Sequence, residues 1–176
     1  MDQDDIHRVL WRVSHQVLEA HNDILNLCFI GIVTRGLTLA HRLAIKVREL
    51  KGSDIPVASL DIGPYRDDLV GNAGPVTYPG PSSLLPLEVR DKKVIIVDDV
   101  LFTGRSARAA LDALTSAGRP RQVQLAVLVD RGHRELPIKA DFVGKNIPTS
   151  LTERVEVRLE EIDTVDEVVL VQSRSA

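Results

Sequence analysis

The sequence predicts an α/β protein, and three features lead to this fold class. Apolar runs without the alternation of a half-exposed strand occur at residues 27–32, 94–97 and 122–129, which is typical of strands buried on both faces. The first two runs are each followed by a short turn, after which apolar residues recur at helical spacing. Both turns contain a glycine and hydroxyl side chains, the composition that binds phosphate at the carboxyl end of a sheet.

Composition predicts a soluble globular chain with a single domain, residues 1–176. The 176 residues are 44% apolar and 27% charged, enough for one domain with a core and too few for two. The single cysteine, Cys28, excludes an intramolecular disulfide and fits a reducing cytoplasm. No apolar stretch approaches bilayer length, and the acidic start differs from a signal peptide. The net charge of −3 argues against indiscriminate nucleic-acid binding but allows a local basic face.

Residues 94–106 carry the clearest chemistry. The strand is predicted to end at Asp98 and Asp99, and the turn T-G-R-S at residues 103–106 opens a helix that Gly118 can end. Backbone N–H groups at a helix start have no intrahelical partners, so they can hold a phosphate monoester. The carboxylates instead suit vicinal hydroxyls, directly or through Mg²⁺. Together they describe a pocket for a ribose 5-phosphate, although the dipeptide alone would be interpreted as a capping or turn pair.

A second strand–turn–helix unit begins with the strand at residues 27–32. Its turn is V-T-R-G at residues 33–36, where Arg35 and the turn amides can hold another phosphate. The open alternative is an ordinary loop between a strand and a helix. The inward face of the following helix is predicted to carry Leu37, Ala40, Ala44 and Val47.

Residues 6–20 predict an amphipathic first helix. Its polar face is either an ordinary solvated surface or a contact surface, and an exposed Trp11 favours contact. The apolar face carries Ile6, Val9, Leu10, Val13 and Val17, and the opposite face carries Arg8, Trp11, Arg12 and His15.

Shorter strands are predicted at residues 56–62 and 142–143. The acidic segment at residues 153–172 contains two alternating stretches, 154–159 and 167–171, that suit antiparallel edge strands.

The segment at residues 65–87 is predicted to be a flexible loop, because most of it is rich in Gly, Pro and Ser with little periodicity. It is a candidate flap that closes over substrate and brings in Tyr65 and Arg66. The alternative is a mobile hairpin without a chemical role.

Several other site types find no support. The chain lacks a G-x-G-x-x-G after a strand, a G-x-x-x-x-G-K-[ST] loop and a G-x-S-x-G elbow, and its Cys and His spacings match no zinc site.

Residues 94–106 resemble the phosphoribosyl-pyrophosphate (PRPP) binding signature of type I phosphoribosyltransferases. Residues 125–138, which contain D-R-G-H-R-E-L-P, and residues 144–150, G-K-N-I-P-T-S, resemble one family of that class. Its members are bifunctional pyrimidine-operon regulators that are also uracil phosphoribosyltransferases. The resemblance extends from the first helix to about Leu159.

This resemblance implies a type I phosphoribosyltransferase fold: a central, mainly parallel sheet flanked by helices, with a flexible loop and a small hood. It implies the conversion of uracil and PRPP to UMP and pyrophosphate, with Mg²⁺ on PRPP. The matching catalytic residues are Arg35, Asp98 and Asp99, of which the two aspartates would also meet Mg²⁺. PRPP or UMP would be bound by Thr34, Arg35, Gly36, Arg66, Asp98, Asp99, Val100, Leu101, Phe102, Thr103, Gly104, Arg105 and Ser106, and uracil by Val129, Arg131 and Ile138.

The resemblance also implies UMP-dependent binding to the leader of pyrimidine operon mRNA, which promotes attenuation, and association into homodimers or larger assemblies. Trp11 departs from the family, which commonly has a small hydroxyl residue there, and Val33 replaces a common lysine. A plain uracil-salvage enzyme and, further away, a purine phosphoribosyltransferase stay open as alternatives. The residues matching RNA contacts are Arg12, His15, His133, Arg134, Lys139 and Lys145.

Overall fold

A computed structural model describes residues 1–63 and 88–172 of the chain. Within them, helices and strands alternate along most of the sequence, as predicted. In chain order the elements are α1 (Gln3–Ala20), β1 (Leu27–Ile32), α2 (Arg35–Lys51), β2 (Val57–Leu60), β3 (Lys93–Leu101), α3 (Arg105–Ala117), β4 (Gln122–Asp130), β5 (Phe142–Asn146), β6 (Glu153–Arg158), α4 (Glu160–Asp163) and β7 (Glu167–Gln172).

The central sheet has five strands in the order β2-β1-β3-β4-β5, and every neighbouring pair is parallel. The chain runs from β1 outward to β2, whereas it runs from β3 outward to β4 in the opposite direction. In an open α/β sheet, a crevice forms at the carboxyl ends of the strands where the order reverses in this way. The turns that follow β1 and β3 therefore meet at one crevice.

Helices cover both faces of the sheet. On one face, α1 and α2 pack residues such as Leu10 and Leu43 against Phe29 and Ile95. On the other face, α3 packs small residues and Leu114 against the opposite side of the same strands. Cys28 lies in this second core, where burial raises the pKa of its thiol to about 11.

Two helices differ in detail from their predictions. The capping box of Asp2 and Asp5 starts α1 three residues earlier than predicted. Trp11 is only half-buried rather than exposed, because its ring lies under the Lys46 ammonium, 5.0 Å from the ring centroid. In α2 the predicted inward residues Leu37 and Ala44 are half-buried, and Leu39 and Leu43 are buried instead.

Two strand predictions were wrong in extent. The strand β3 does not end at Asp98 but continues through both carboxylates, because its neighbour β4 pairs with it up to Leu101. The strand β5 extends to Asn146 through residues predicted as a loop. β6 and β7 are antiparallel edge strands as predicted, and they pair with each other in a separate two-stranded sheet. Of the described helices, none has the length and apolar character needed to cross a bilayer.

Candidate active site

The crevice between β1 and β3 opens into a cleft of about 270 Å³. Arg35, from the start of α2, and Asp99, from β3, line one part of it. The strand β6 of the small sheet also lines this cleft, a feature that the sequence did not connect with the site. The lining residues of β6 are Arg154, Val155, Glu156, Val157 and Arg158.

Gly36 brings the start of α2 against the end of β3. A Cβ atom at this position would lie 2.4 Å from the carbonyl oxygen of Val97 and 3.2 Å from the Cα of Asp98. Only glycine permits this approach, which places Thr34 and Arg35 beside the two aspartates. The peptide between Val33 and Thr34 is cis. The turn after β1 therefore lies directly beside the end of β3 that carries the two aspartates.

Arg35 forms an ion pair with Asp163 of α4, with 2.8 Å between Nη2 and Oδ1. The Nε atom of Arg35 is buried and has no hydrogen-bond partner within residues 1–63 and 88–172. The backbone N–H of Leu159 and then Arg35 lower the pKa of Asp163. One edge of the guanidinium is thus held by the protein, while its buried Nε donor is left without a partner in the described part of the chain.

Asp98 and Asp99 each accept a hydrogen bond from the next backbone N–H, at 2.9 Å and 2.8 Å respectively. These bonds orient two half-buried carboxylates at the crevice. Among the described residues, no group of three or more His, Cys, Asp or Glu side chains could hold a metal ion by itself. Mg²⁺ commonly binds through one or two carboxylates and the phosphates of a substrate, so this donor set fits a Mg²⁺ shared with a phosphate ligand.

The turn before α3 has the form expected of a phosphate cradle. Gly104 is the N-cap residue and has φ of +94°, a conformation that favours glycine. Arg108 N–H donates to the carbonyl oxygen of Gly104, so the amides before it belong to the helix start. Arg105 N–H contacts the Thr103 hydroxyl at 3.4 Å, which leaves the N–H groups of Ser106 and Ala107 as candidate donors to a ligand.

The segment after β4 packs over this turn. The backbone N–H groups of Glu135 and Leu136 both donate to the carbonyl oxygen of Thr103, at 3.0 Å and 3.2 Å. A Cβ atom at Gly104 would lie 3.4 Å from the Cβ of Ile138. The predicted uracil residue Ile138 is therefore adjacent to the predicted phosphate cradle.

Arg131, also predicted at the uracil site, has a buried side chain that packs against neighbouring residues of the site. Its guanidinium lies 4.0 Å from the ring centroid of Phe102 and donates to the Thr149 hydroxyl and the Ser150 carbonyl. Burial lowers the pKa of Arg131. The Arg131 carbonyl oxygen accepts a hydrogen bond from the Thr149 hydroxyl and has a second lone pair that could accept from a base.

The family model of the phosphoribosyl transferase domain matches residues 2–160. A protein of Chloroflexus aurantiacus named Bifunctional protein PyrR is 51% identical over 175 residues, which cover 98% of this chain and 93% of that protein. The chain belongs to the PyrR family of phosphoribosyltransferases. A Thermus aquaticus member of this family is 49% identical and matches all of this chain and 96% of its own length.

Solved structures outside the PyrR family share the fold. The hypoxanthine phosphoribosyltransferase of Trypanosoma cruzi superimposes with a TM-score of 0.73 at 15% identity, covering 98% of this chain and 94% of that one. The Staphylococcus aureus enzyme of the same name gives 0.64 at 20% identity, over 84% and 76%. The type I phosphoribosyltransferase fold is confirmed, with the sheet of β6 and β7 as its small hood.

The residues matching the RNA contacts of the PyrR family fall into two groups. Arg12 on α1 donates to the carbonyl oxygens of Val143 and Gly144 on β5. Lys145 follows them on β5 and is exposed. The pKa of Asp5 is lowered mainly by a hydrogen bond from Arg8 and slightly by the charge of Lys145, which places Lys145 close to α1.

The second group follows β4. The exposed His133 has its Nε2 atom 2.5 Å from the Thr149 carbonyl oxygen, and its ring meets Phe102 edge-on. Arg134 is half-buried and donates to the carbonyl oxygens of Phe102 and Ile138 and to Asp130. His15 on α1 and Lys139 in this segment are exposed. Arg134 is thus part of the structure that holds the cradle, which its sequence pattern did not reveal.

The predicted flexible loop at residues 65–87, with Tyr65 and Arg66, lies outside the described residues. The remaining members of the predicted PRPP set, Val100 and Leu101, are the last residues of β3. They connect the two aspartates to the turn before α3.

Proposed function

We propose that the chain is a UMP-dependent, RNA-binding regulator of pyrimidine operon expression that also converts uracil and PRPP to UMP and pyrophosphate. The observation that carries this proposal is the sequence identity of 51% and 49%, over nearly the whole chain, to proteins named Bifunctional protein PyrR. The cleft at the carboxyl ends of β1 and β3 supplies the matching chemistry, because it places a cation and two carboxylates beside a helix-start cradle.

The proposed roles follow from the donors and acceptors of each part. The amides and hydroxyls at residues 103–106 hold the 5′-phosphate of PRPP, and Asp98 and Asp99 accept hydrogen bonds from the ribose hydroxyls. Arg35 neutralises the diphosphate together with Mg²⁺, which supplies charge stabilisation when it is bound. Positive charge that develops at the anomeric carbon then lies among oriented carboxylates.

Uracil would lie against the segment after β4, near Val129, Arg131 and Ile138. The Ile138 N–H donates to the Leu136 carbonyl at 2.7 Å and the Ile138 carbonyl accepts from Arg134 at 3.0 Å. These bonds hold the peptide groups in one orientation, and a carbonyl oxygen can accept a second hydrogen bond from the N–H of a base. Orientation by the backbone suits a small planar ligand with alternating donors and acceptors.

RNA would be bound by the exposed basic side chains of α1, of β5 and of the segment after β4. Arg, Lys and His attract the phosphate backbone, and specific recognition uses unpaired bases in loops and bulges. The site for UMP and the cradle supported by Arg134 share the same segment, which offers a physical route from UMP binding to RNA affinity. Cytoplasmic location and assembly into homodimers or larger oligomers are part of the proposal.

The test measures both activities on the same preparation. UMP formation is followed with PRPP, Mg²⁺ and either uracil or hypoxanthine, and binding to the chain's own pyrimidine-operon leader RNA is measured with and without UMP. We expect product from uracil only and RNA binding that UMP tightens. Brisk UMP synthesis with RNA binding that ignores UMP would instead establish the plain salvage enzyme, and product from hypoxanthine would establish a purine enzyme.

A further inference from the structure

The cations around the cleft differ in whether a carboxylate neutralises them. Arg35 is paired with Asp163 at 2.8 Å. Arg158 is paired with Glu167 at 2.7 Å and with Glu156 at 3.4 Å. Arg154 lines the same cleft, yet its side chain has neither a hydrogen bond nor an ion pair within residues 1–63 and 88–172. Arg154 therefore faces the cleft with its full positive charge.

The position of Arg154 is defined by the small sheet rather than by a loop. Val155 and Val157 are buried in the main core, which anchors β6 beside β3. Arg154 itself pairs with Val171 of β7 in the antiparallel ladder. A guanidinium on such an element reaches a defined region and loses less freedom on binding than one on a mobile segment.

We propose that Arg154 is a further substrate-binding residue that contacts the diphosphate of PRPP from the strand β6, in the cleft that it shares with Arg35. This inference rests on the proposed function and extends it to a residue of the hood. The diphosphate is the most highly charged part of the substrate, and the Arg35 charge that meets it is already shared with Asp163. A guanidinium offers paired donors to phosphate oxygens, so Arg154 supplies the missing charge.

The geometry favours the diphosphate over the 5′-phosphate. Arg154 shares its cleft with Arg35 and Asp99, whereas the 5′-phosphate cradle lies at Gly104 and is packed against Leu136 and Ile138. PRPP carries both groups, UMP carries only the 5′-phosphate, and inorganic pyrophosphate represents only the diphosphate. These three ligands therefore separate contact with one phosphate site from contact with the other.

The experiment compares Arg154→Gln with the unaltered chain by titration calorimetry, with PRPP, pyrophosphate and UMP as probes in the presence of Mg²⁺ and the absence of uracil. We expect the Kd values of PRPP and pyrophosphate to rise roughly tenfold or more and that of UMP to change less than about twofold. Arg154→Lys, which keeps the charge, should recover most of the PRPP affinity. The matched control is Arg121→Gln, an exposed arginine that directly precedes the amino end of β4, away from the crevice at the carboxyl ends of the strands.

Equal weakening of PRPP and UMP, or no change in either, would overturn the inference. An unchanged thermal unfolding midpoint in Arg154→Gln would verify that the small sheet still forms. Binding is measured without turnover, so the result is independent of the proposed reaction. If the unaltered chain binds PRPP but makes no UMP from uracil, the proposed function fails while the role of Arg154 is still decided by the calorimetry.

Discussion

At the scale of single residues, Gly36 shows why the turn between β1 and α2 tolerates no larger side chain at this position. Because Gly36 has no side chain, α2 can start close against β3: an ideal Cβ atom at this position would lie 2.4 Å from the Val97 carbonyl oxygen. We expect Gly36→Ala to push Arg35 away from the aspartates and to lower the free energy of unfolding by about 2–3 kcal/mol. Urea unfolding and the KM for PRPP measure the two effects.

Gly52→Ala is the matched control for Gly36→Ala. Gly52 ends α2 with φ of +68°, and a Cβ atom there would meet nothing within 4 Å. Its substitution should cost only the left-handed conformation, about 1 kcal/mol, and leave the KM for PRPP unchanged. An equal KM in both variants would contradict the close-approach role of Gly36.

Arg134 gives a second prediction at this scale. Its guanidinium donates to the Phe102 and Ile138 carbonyl oxygens and to Asp130, so removing it leaves several half-buried acceptors without a donor. We expect Arg134→Ala to reduce UMP synthesis roughly tenfold or more, as well as RNA binding. Lys139→Ala, the removal of an exposed cation five residues later, should weaken RNA binding and leave synthesis within about twofold. Unchanged UMP synthesis in Arg134→Ala would contradict the proposal that Arg134 holds the phosphate cradle in place.

At the scale of elements, the sequence predicted the strands of the central sheet because burial on both faces produces continuous apolar runs. It misplaced the end of β3, because Asp98 and Asp99 interrupt the apolar run although β4 still pairs beside them. It predicted β6 and β7 correctly as antiparallel edge strands but did not show that the two pair with each other in a sheet of their own. An alternating pattern shows that a strand is half-exposed but contains no information on which partner it pairs with.

The attachment of α4 to α2 is an element-scale feature that can be tested. Arg42 on α2 has a side chain that is only 17% exposed and pairs with Asp166 at 2.7 Å and with Glu161 of α4. We expect Arg42→Gln to lower the free energy of unfolding by about 2 kcal/mol, because it leaves partly buried carboxylates unpaired. In contrast, Arg48→Gln on the same helix removes an exposed 3.7 Å pair with Asp54 and should cost less than about 0.5 kcal/mol. Similar losses from both variants, measured in urea, would refute the distinction.

The same attachment should make stability depend on pH in the acid range. Burial raises the pKa of Asp166, but hydrogen bonds from Arg42 and the Glu160 N–H outweigh it, so the net shift is downward. A hydrogen bond from Arg42 likewise lowers the pKa of Glu161. The pKa values of both carboxyls are lower in the folded chain than in the unfolded one. The ion pairs with Arg42 therefore contribute fully to stability above the ordinary pKa values of 3.8 and 4.5, and this stability is lost as pH falls through the folded pKa values.

The corresponding measurement is the free energy of unfolding of the unaltered chain and of Arg42→Gln between pH 6 and pH 3. We expect the unaltered chain to lose more stability over this range, so that the difference between the two narrows as pH falls. A difference that stays constant, or widens in acid, would show that the two carboxylates do not titrate with Arg42 as their partner.

At the scale of the whole molecule, the site was predictable where its residues are neighbours in the sequence and not where the fold brings distant ones together. The diacid, the glycine turns and Arg35 belong to continuous strand–turn–helix units, whose chemistry follows from their order. Asp163 and Arg154 come from the hood, and Asp163 is 128 residues from Arg35 in the chain. No local pattern distinguishes them from the other charged residues of an acidic C-terminal segment.

The net charge of the chain is −3, so RNA binding must depend on local clusters of positive charge rather than on the net charge. If exposed cations near the active site neutralise RNA phosphates, each one removed should reduce the slope of log K against log salt by about 0.7–1. We expect this for Lys139→Ala and Lys145→Ala with UMP and leader RNA, measured across a potassium chloride series. Lys51→Ala, at the end of α2 that lies away from the crevice, should leave the slope unchanged. Equal slopes in all variants would mean that the RNA binds elsewhere on the molecule.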